Sequence, residues 1–190
     1  MALADRLALA VIPFAQWRRE IAPLWLAEGA VGWIPPLLNG HGQLRYAGAE
    51  LLSRVLLFPI AAELDGRRVG WTSVYNLSDH AVRVRGIYVL PEFRAMGIGR
   101  RLVAFATGLW PPAWRRCLIY ARAANVALYE RWGFVAVPGH HPRPSDLDRL
   151  LPNLTVQLMA RPIDPANDVV EPAGAASPPT HEFEGIPNSA

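Results

Sequence analysis

The sequence feature that most constrains the fold is the stretch from Val82 to Trp110, which reads as a strand, a short loop and a helix. Its strand part, Ala81 to Leu90, is rich in β-branched and aromatic residues. Apolar side chains fall at even-numbered positions before Gly86 and at odd-numbered positions after it. Since successive strand side chains point to opposite faces, one extra residue at or beside Gly86 would restore the face. The pattern therefore predicts a β-bulge there.

The loop after this strand, Arg94 to Gly99, contains two glycines that permit positive φ angles and a close approach by a ligand. Apolar residues at helical spacing then predict a helix that ends before Pro111. The first N–H groups of such a helix have no intrahelical partner and favour an anion, above all a phosphate. A turn that needs glycine only for chain closure explains the same residues, so the glycine spacing alone leaves both interpretations open.

A second pattern lies downstream, where a strand-like run, Leu118 to Arg122, precedes a helical pattern from Ala123 to Arg131. The stretch V-x-P-E-F-R-A-M-G-I-G-R-R-L resembles motif A of the GCN5-related N-acetyltransferase (GNAT) family, whose [RQ]-x-x-G-x-[GA] pattern is matched at Arg94, Gly97 and Gly99. The stretch A-R-A-A-N-V-A-L-Y-E-R-W-G-F resembles motif B of the same family. The two motifs stand in the family's order and spacing.

The resemblance implies the α/β (α+β) fold of acyl-CoA N-acyltransferases, with a central mixed, mostly antiparallel sheet of six to seven strands flanked by helices. It implies acetyl-CoA as co-substrate, with its pyrophosphate on the backbone amides that follow Arg94 and its pantetheine arm along the end of the fourth strand. The residues that this resemblance assigns to the cofactor are Ile87, Tyr88, Val89, Arg94, Ala95, Met96, Gly97, Ile98, Gly99 and Arg100.

The resemblance also implies catalytic groups. Tyr129 matches the tyrosine of motif B, which donates a proton or hydrogen bond to the coenzyme A sulfur. A phenol with a pKa near ~10 is a suitable acid for a thiolate leaving group. The alternative is a helical tyrosine that only packs its ring into the core. The resemblance further implies that the Val89 N–H group polarises the thioester carbonyl.

The sequence departs from the family on the fourth strand, where many relatives carry a glutamate and this chain has Arg83 and Arg85. Two cations there would repel a cationic amine and favour an acceptor that carries a carboxylate. In the alternative, both arginines lie on a solvated face. The segments expected to form the acceptor site are rich in tryptophan, at Trp17, Trp25 and Trp33, and the remaining candidate bases are Glu63, His80, His140 and His141.

Composition limits the chemistry and the partners. All 19 basic residues are arginine, so a lysine Schiff base is excluded. No metal-ligand spacing recurs among histidine, cysteine and acidic residues, and we predict no metal site. Residues 1–161 hold 19 arginines and 11 acids, a charge of +8, which suits an anionic partner such as coenzyme A. Nucleic acid is a weaker candidate because the arginines are scattered, and a homodimer is compatible with the sequence.

The composition changes at Pro162, and residues 162–190 are rich in proline, alanine and acidic residues. We predict one acetyltransferase domain over 1–161 and a disordered acidic tail over 162–190. Cys117 stands alone before an apolar strand, which excludes an intrachain disulfide and favours a buried thiol in a cytoplasmic protein. No run approaches the ~18 apolar residues of a membrane span, so we expect no membrane partner.

The other elements follow from periodicity and turn residues. Asp65-Gly66 predicts a hairpin turn. Helices are predicted over Phe14–Ile21, with a restart at Pro23, over Leu44–Leu57 and over Ser145–Leu150. Strands are predicted over Leu7–Ile12, Phe58–Leu64, Arg68–Tyr75, Phe134–Pro138 and Leu154–Arg161.

Two functions fit these observations. The first is an N-acetyltransferase that passes the acetyl group of acetyl-CoA to an amine on a small molecule or a peptide N-terminus, by direct attack in a ternary complex. The second is a non-catalytic acyl-CoA-binding module of the same fold, which the missing fourth-strand glutamate would explain.

Overall fold

A seven-stranded sheet organises the part of the chain that this computed structural model describes, residues 3–27, 57–78, 80–111, 115–138 and 156–163. Short 3-10 turns lie at Pro91–Phe93 and Ala123–Asn125. The helices are α1 (Leu3–Arg6), α2 (Phe14–Ala27), α3 (Ile98–Gly108) and α4 (Val126–Glu130). The strands are β1 (Leu7–Val11), β2 (Leu57–Leu64), β3 (Arg67–Ser78), β4 (Ala81–Val89), β5 (Arg116–Arg122), β6 (Val135–Ala136) and β7 (Val156–Pro162).

The strands lie in the order β1-β2-β3-β4-β5-β7-β6. The pair β4–β5 is parallel, because α3 connects the two strands across one face of the sheet, and the other neighbouring strands are antiparallel. The predicted α/β fold with a mixed, mostly antiparallel sheet flanked by helices is therefore confirmed.

The predicted bulge is present in β4. Trp71 lies opposite Tyr88 and Ser73 lies opposite Arg85, so two residues of β4 face one residue of β3. Gly86 adopts a φ of 65°, which glycine reaches at little steric cost. The bulge returns the apolar side chains of the second half of β4 to the face on which those of its first half lie.

The two faces of the sheet carry different cores. On one face, α3 packs with its predicted apolar stripe, and four helical residues of that stripe are buried: Ile98, Leu102, Phe105 and Ala106. On the other face, which we call the α2 face, the buried cluster is Ile12, Trp17, Ile21, Ala61, Trp71 and Tyr88. Burial of each large apolar side chain stabilises the fold by roughly 1.5–3 kcal/mol.

Several local predictions are confirmed and others change. Asp65 and Gly66 form the predicted hairpin turn with positive φ angles of 50° and 80°, and Cys117 is buried. The helix predicted to restart at Pro23 instead runs through it. The predicted strand over Phe134–Pro138 is shorter because only β6 pairs with β7.

Some predictions lie outside the described residues. These are the helix over Ser145–Leu150, the helix over Leu44–Leu57 up to residue 56, and the tail after residue 163. Leu57 itself is the first residue of β2. At the other end of the domain, β7 includes Pro162, one residue beyond the predicted domain boundary.

Candidate active site

The candidate site lies where β4 and β5 part. Their parallel pairing joins Ala81 with Arg116, Val82 with Cys117 and Arg83 with Leu118. Beyond this register β4 continues to Val89 and β5 continues to Arg122 without pairing to each other. The second half of β4 therefore presents a backbone edge towards a gap in the sheet, next to the start of α3.

The end of β4 places one N–H group at this gap. The Leu90 N–H donates to the Val69 carbonyl at 2.9 Å, so it points towards β3. Since successive N–H groups along a strand point to opposite edges, the Val89 N–H points away from β3. A ligand in the gap can thus receive a hydrogen bond from Val89 without disturbing the sheet.

The loop from Arg94 to Gly97 leads from β4 into α3 and is exposed. Ala95 has a φ of 62° and Gly97 a φ of 81°, so left-handed residues occur twice within a short span. Such alternation turns neighbouring backbone N–H groups inwards and forms a concave anion site. A Cβ atom placed on Gly97 would meet no atom within 4 Å, so the space beside it is open.

The first turn of α3 adds further donors. Gly97 is the N-cap residue and forms no side-chain cap hydrogen bond. The first helical bond runs from the Arg101 N–H to the Gly97 carbonyl at 3.1 Å. The N–H groups of Ile98, Gly99 and Arg100 precede it and have no acceptor within the helix. This geometry suits the pyrophosphate of coenzyme A, because it offers unbonded donors and the positive end of a helix dipole.

Arg94 holds the loop against the strand. Its Nε donates to the Val89 carbonyl at 3.0 Å, and its guanidinium carbon lies 5.6 Å from the centroid of the Tyr88 ring. The motif arginine thus has a structural contact that the sequence did not reveal, since it closes the loop onto the end of β4.

Gly99 contacts Trp132, the next part of the candidate site. A Cβ atom on Gly99 would lie 3.0 Å from Cη2 of Trp132 and 3.8 Å from Cγ2 of Ile87. The Trp132 ring in turn meets the Tyr129 ring edge to face, with centroids 5.2 Å apart. Gly99 therefore permits close packing between the start of α3 and the segment that carries Tyr129.

Tyr129 lies in α4 with its ring packed into the core, as expected under the alternative that gives it only a packing role. Its ring also meets Phe134 edge to face. Burial raises the pKa of its hydroxyl to about 12, and the positive charge of Arg122 opposes that rise. The phenol therefore keeps its proton at neutral pH, as a proton donor must.

Arg83 and Arg85 lie on the α2 face, and the alternative that placed them on a solvated face is wrong. They are only 2% and 8% exposed. The guanidinium carbon of Arg83 lies 4.0 Å from the centroid of the Tyr120 ring and 5.8 Å from that of Tyr75. Burial, followed by repulsion from Arg85, lowers the pKa of Arg83, and burial lowers that of Arg85 to about 10.

The other predicted candidates are dispersed. Glu63 on β2 forms an ion pair with Arg68 at 3.4 Å. His80 is exposed in the turn before β4, at the opposite end of the strand from Val89. Trp17 is buried in the α2-face core. His140, His141, Trp33 and the side chain of Trp25 lie outside the part of the chain that the structure describes.

The structure also shows a carboxylate that the sequence did not single out. Glu20 on α2 accepts a hydrogen bond from Trp71 Nε1 at 2.6 Å and another from Gln16 Nε2 at 2.8 Å. Only the helical spacing of Gln16 and Glu20 could have hinted at this arrangement. The contact with Trp71 depends on how α2 crosses the sheet.

Metal-ligating clusters and membrane-spanning helices are both absent from the part of the chain that the structure describes. No group of three or more His, Cys, Asp or Glu side chains there could hold a metal ion. None of the described helices combines the length and apolarity that a membrane crossing requires.

Comparison with protein families gives a match over residues 57–136 to an acetyltransferase (GNAT) domain. The matched range runs from β2 to β6 and includes the anion site and Tyr129. The resemblance seen in the two sequence motifs is confirmed. No curated protein sequence matches the chain significantly.

Solved structures share the fold at low sequence identity. A protein assigned as an acyl-CoA N-acyltransferase from Klebsiella pneumoniae superposes with a TM-score of 0.55 at 16% identity, over 83% of this chain and 98% of its own. An acetyltransferase from Streptococcus agalactiae gives 0.54 at 12% identity, over 83% and 99%. A GNAT-family acetyltransferase from Staphylococcus aureus gives the same four values.

Proposed function

Because residues 57–136 match an acetyltransferase (GNAT) domain, we propose that the protein is an N-acetyltransferase that transfers the acetyl group of acetyl-CoA to an amine. The transfer takes place by direct attack in a ternary complex. The observation that carries this proposal is the uncapped start of α3 after the left-handed residues Ala95 and Gly97. It stands at the end of β4, where β4 and β5 no longer pair.

Acetyl-CoA supplies the reactive thioester, and we propose the following roles for the protein, which the resemblance implies and the geometry supports. The N–H groups from Ala95 to Arg100 bind the pyrophosphate. The edge of β4 from Ile87 to Val89 binds the pantetheine arm, and the Val89 N–H stabilises the carbonyl oxygen. Tyr129 donates its hydroxyl proton to the leaving thiolate.

The acceptor is a small molecule or a peptide N-terminus, and we propose that it carries a carboxylate. Arg83 and Arg85 lie together on the α2 face, and the pKa of Arg85, about 10, keeps it charged at neutral pH. A guanidinium can bind a carboxylate through two parallel hydrogen bonds and so orient the attacking amine. Like charges make the same place unfavourable for a polyamine.

Thiol release tests the function directly. The protein is mixed with acetyl-CoA and an amine panel that contains amino acids, their carboxamides, dipeptides and spermidine, and products are identified by mass. We expect transfer to at least one amine, with each amino acid acetylated faster than its carboxamide. Faster acetylation of spermidine than of every carboxylate-bearing amine would contradict the role of Arg83 and Arg85.

The second candidate is a non-catalytic acyl-CoA-binding module, favoured by one observation. No acidic residue occurs in the β4 sequence AVRVRGIYV, although an acid on this strand is common among relatives. Stabilisation by acetyl-CoA without thiol release on any amine would favour this module over the enzyme.

The cell compartment and the domain boundary complete the proposal. The single cysteine, Cys117, is buried and is consistent with a reducing cytoplasm. We propose one catalytic domain that ends close to β7, followed by an acidic tail without a catalytic role.

A further inference from the structure

Glu20 is held on the α2 face by two hydrogen bonds. Trp71 Nε1 donates to its Oε2 at 2.6 Å, and Gln16 Nε2 donates to its Oε1 at 2.8 Å. The side chains involved lie in a partly buried environment next to the cluster that contains Trp17, Ile21 and Trp71. The carboxylate therefore has a defined position over β3, although it belongs to a helix.

That position is close to the end of β4. Trp71 lies opposite Tyr88 in the β3–β4 register, and the two ring centroids are 6.4 Å apart. Ser73, the next residue of β3 on the same face, lies opposite Arg85. Since a strand rises about 3.3 Å per residue, these two positions are about 7 Å apart along β3. Glu20 thus lies on the face that carries the proposed acceptor contacts.

The donors to Glu20 distinguish it from three other carboxylates among the described residues. Glu63, Asp65 and Glu92 each form an ion pair with an arginine. Glu20 instead accepts hydrogen bonds from the neutral side chains of Trp71 and Gln16. Each of its oxygens has a second lone-pair site, so the carboxylate can accept another N–H group.

We propose that Glu20 is the proton acceptor for the attacking amine, with Trp71 and Gln16 as positioning residues. The proposal rests on the proposed function. An acceptor that arrives as an ammonium ion must lose a proton before its lone pair can attack. A carboxylate on the α2 face can take that proton, although β4 contains no acid.

The proton balance is complete with the groups named. The ammonium nitrogen gives one proton to Glu20, which passes it to solvent, and then attacks the thioester carbonyl carbon. The C–N bond forms and the C–S bond breaks. Tyr129 protonates the leaving thiolate, and the nitrogen releases its second proton, which restores the Tyr129 hydroxyl through solvent. The products are an amide, free coenzyme A and one net proton.

Glu20→Gln tests the proposal with little change of shape. The glutamine carbonyl oxygen can still accept from Trp71 Nε1, so we expect an unchanged melting temperature and unchanged stabilisation by acetyl-CoA. At pH 7 we expect kcat/KM for the best amine of the panel to fall about 100-fold or more. Because the variant depends on amine that is already neutral, the loss should shrink about tenfold for each pH unit towards the amine pKa.

Two controls separate proton transfer from packing. Glu20→Asp keeps a carboxylate, and its rate should show the pH profile of the wild type even if its magnitude is lower. Glu92→Gln removes a carboxylate that is ion-paired with Arg67 at the surface, and its kcat/KM should stay within about twofold of the wild type.

The outcomes distinguish this proposal from the proposed function. If the wild type transfers acetyl groups while Glu20→Gln stays within twofold of it, or loses the same factor at pH 7 and pH 9, Glu20 is not the proton acceptor and the proposed function stands. If the wild type binds acetyl-CoA but acetylates no amine of the panel, both proposals are overturned.

Discussion

At the scale of single residues, the packing of Tyr129 bears on its proposed role as a proton donor. Its ring contacts Trp132 and Phe134, which accounts for its burial. The same burial raises the pKa of its hydroxyl to about 12. Packing thus keeps the phenol protonated over the whole neutral range, which suits a group that gives its proton to a thiolate.

Tyr129→Phe should lower kcat by about 100-fold or more while leaving acetyl-CoA binding intact, because it removes only the proton donor. Steady-state kinetics and the melting-temperature shift with acetyl-CoA measure the two effects separately. A kcat within twofold of the wild type would make Tyr129 a packing residue only.

The raised pKa of Tyr129 also sets the pH dependence. A phenol donates its proton only below its pKa, so a pKa of about 12 keeps Tyr129 in the active form throughout the neutral and mildly alkaline range. The rate should therefore show no fall caused by this group below about pH 11. A descending limb in kcat near pH 9 that disappears in Tyr129→Phe would contradict this assignment.

At the scale of elements, the candidate site is assembled from the end of β4, the start of α3, and α4 together with the residues that follow it. Arg94 ties the loop to the Val89 carbonyl, and Trp132 packs against Gly99. The glycines of the loop differ in their roles. Gly97 provides a left-handed turn beside open space, whereas Gly99 provides a close approach.

Gly97→Ala and Gly66→Ala form a matched pair. Both glycines have φ near 80° and open space at the Cβ position, so each substitution should cost about 1–2 kcal/mol of stability through backbone strain. Only Gly97 lies at the proposed phosphate site, so only Gly97→Ala should reduce acetyl-CoA affinity. Equal affinities for the two variants in a calorimetric titration would remove the loop from the binding site.

Gly99→Val should act through Trp132. Its Cβ would lie 3.0 Å from the indole ring, and the ring must move together with its contact to Tyr129. We expect a fall in kcat and a change in tryptophan fluorescence. The double variant Gly99→Val, Trp132→Ala lacks the indole ring and therefore the steric conflict. We expect its stability to be no lower than that of Trp132→Ala alone. A further loss of stability in the double variant would show that the new side chain at position 99 conflicts with a group other than Trp132.

At the scale of the whole molecule, the last described strand, β7, lies between β5 and β6 in the sheet. After Pro162, the Ile163 N–H donates to the Arg115 carbonyl at 3.1 Å, and the Ile163 side chain packs against the buried cluster that includes the apolar residues of α3. The contacts of the described domain thus include Ile163, two residues beyond the boundary expected from composition.

Two truncations test this boundary. A chain that ends at Ile163 should keep its melting temperature within a few degrees and retain acetyl-CoA binding, because the removed residues have a composition with little apolar surface to bury. A chain that ends at Arg161 should be less stable, because it loses the Ile163 contacts. A large loss of stability in the longer truncation would show that the tail contributes to the fold.

Local patterns in the sequence were sufficient to predict the elements that carry the candidate site. The parity change around Gly86 predicted the bulge, because the side-chain period of a strand is set by its backbone geometry. The apolar spacing predicted the buried face of α3. Two motifs predicted the similarity to acetyltransferase (GNAT) domains and a glycine-containing loop between β4 and α3. The bulge and the buried face of α3 both lie within the single stretch from Val82 to Trp110.

The tertiary structure decided which distant side chains meet. From the sequence, Arg83 and Arg85 could lie either on a solvated face or in an acceptor site. Their burial depends on what covers the α2 face. Glu20 and Trp71 are 51 positions apart in the chain, and Gly99 meets Trp132 across two different elements. Such contacts depend on strand order and on the path of each helix across the sheet. No local period specifies those quantities, because they arise from the packing of the whole domain.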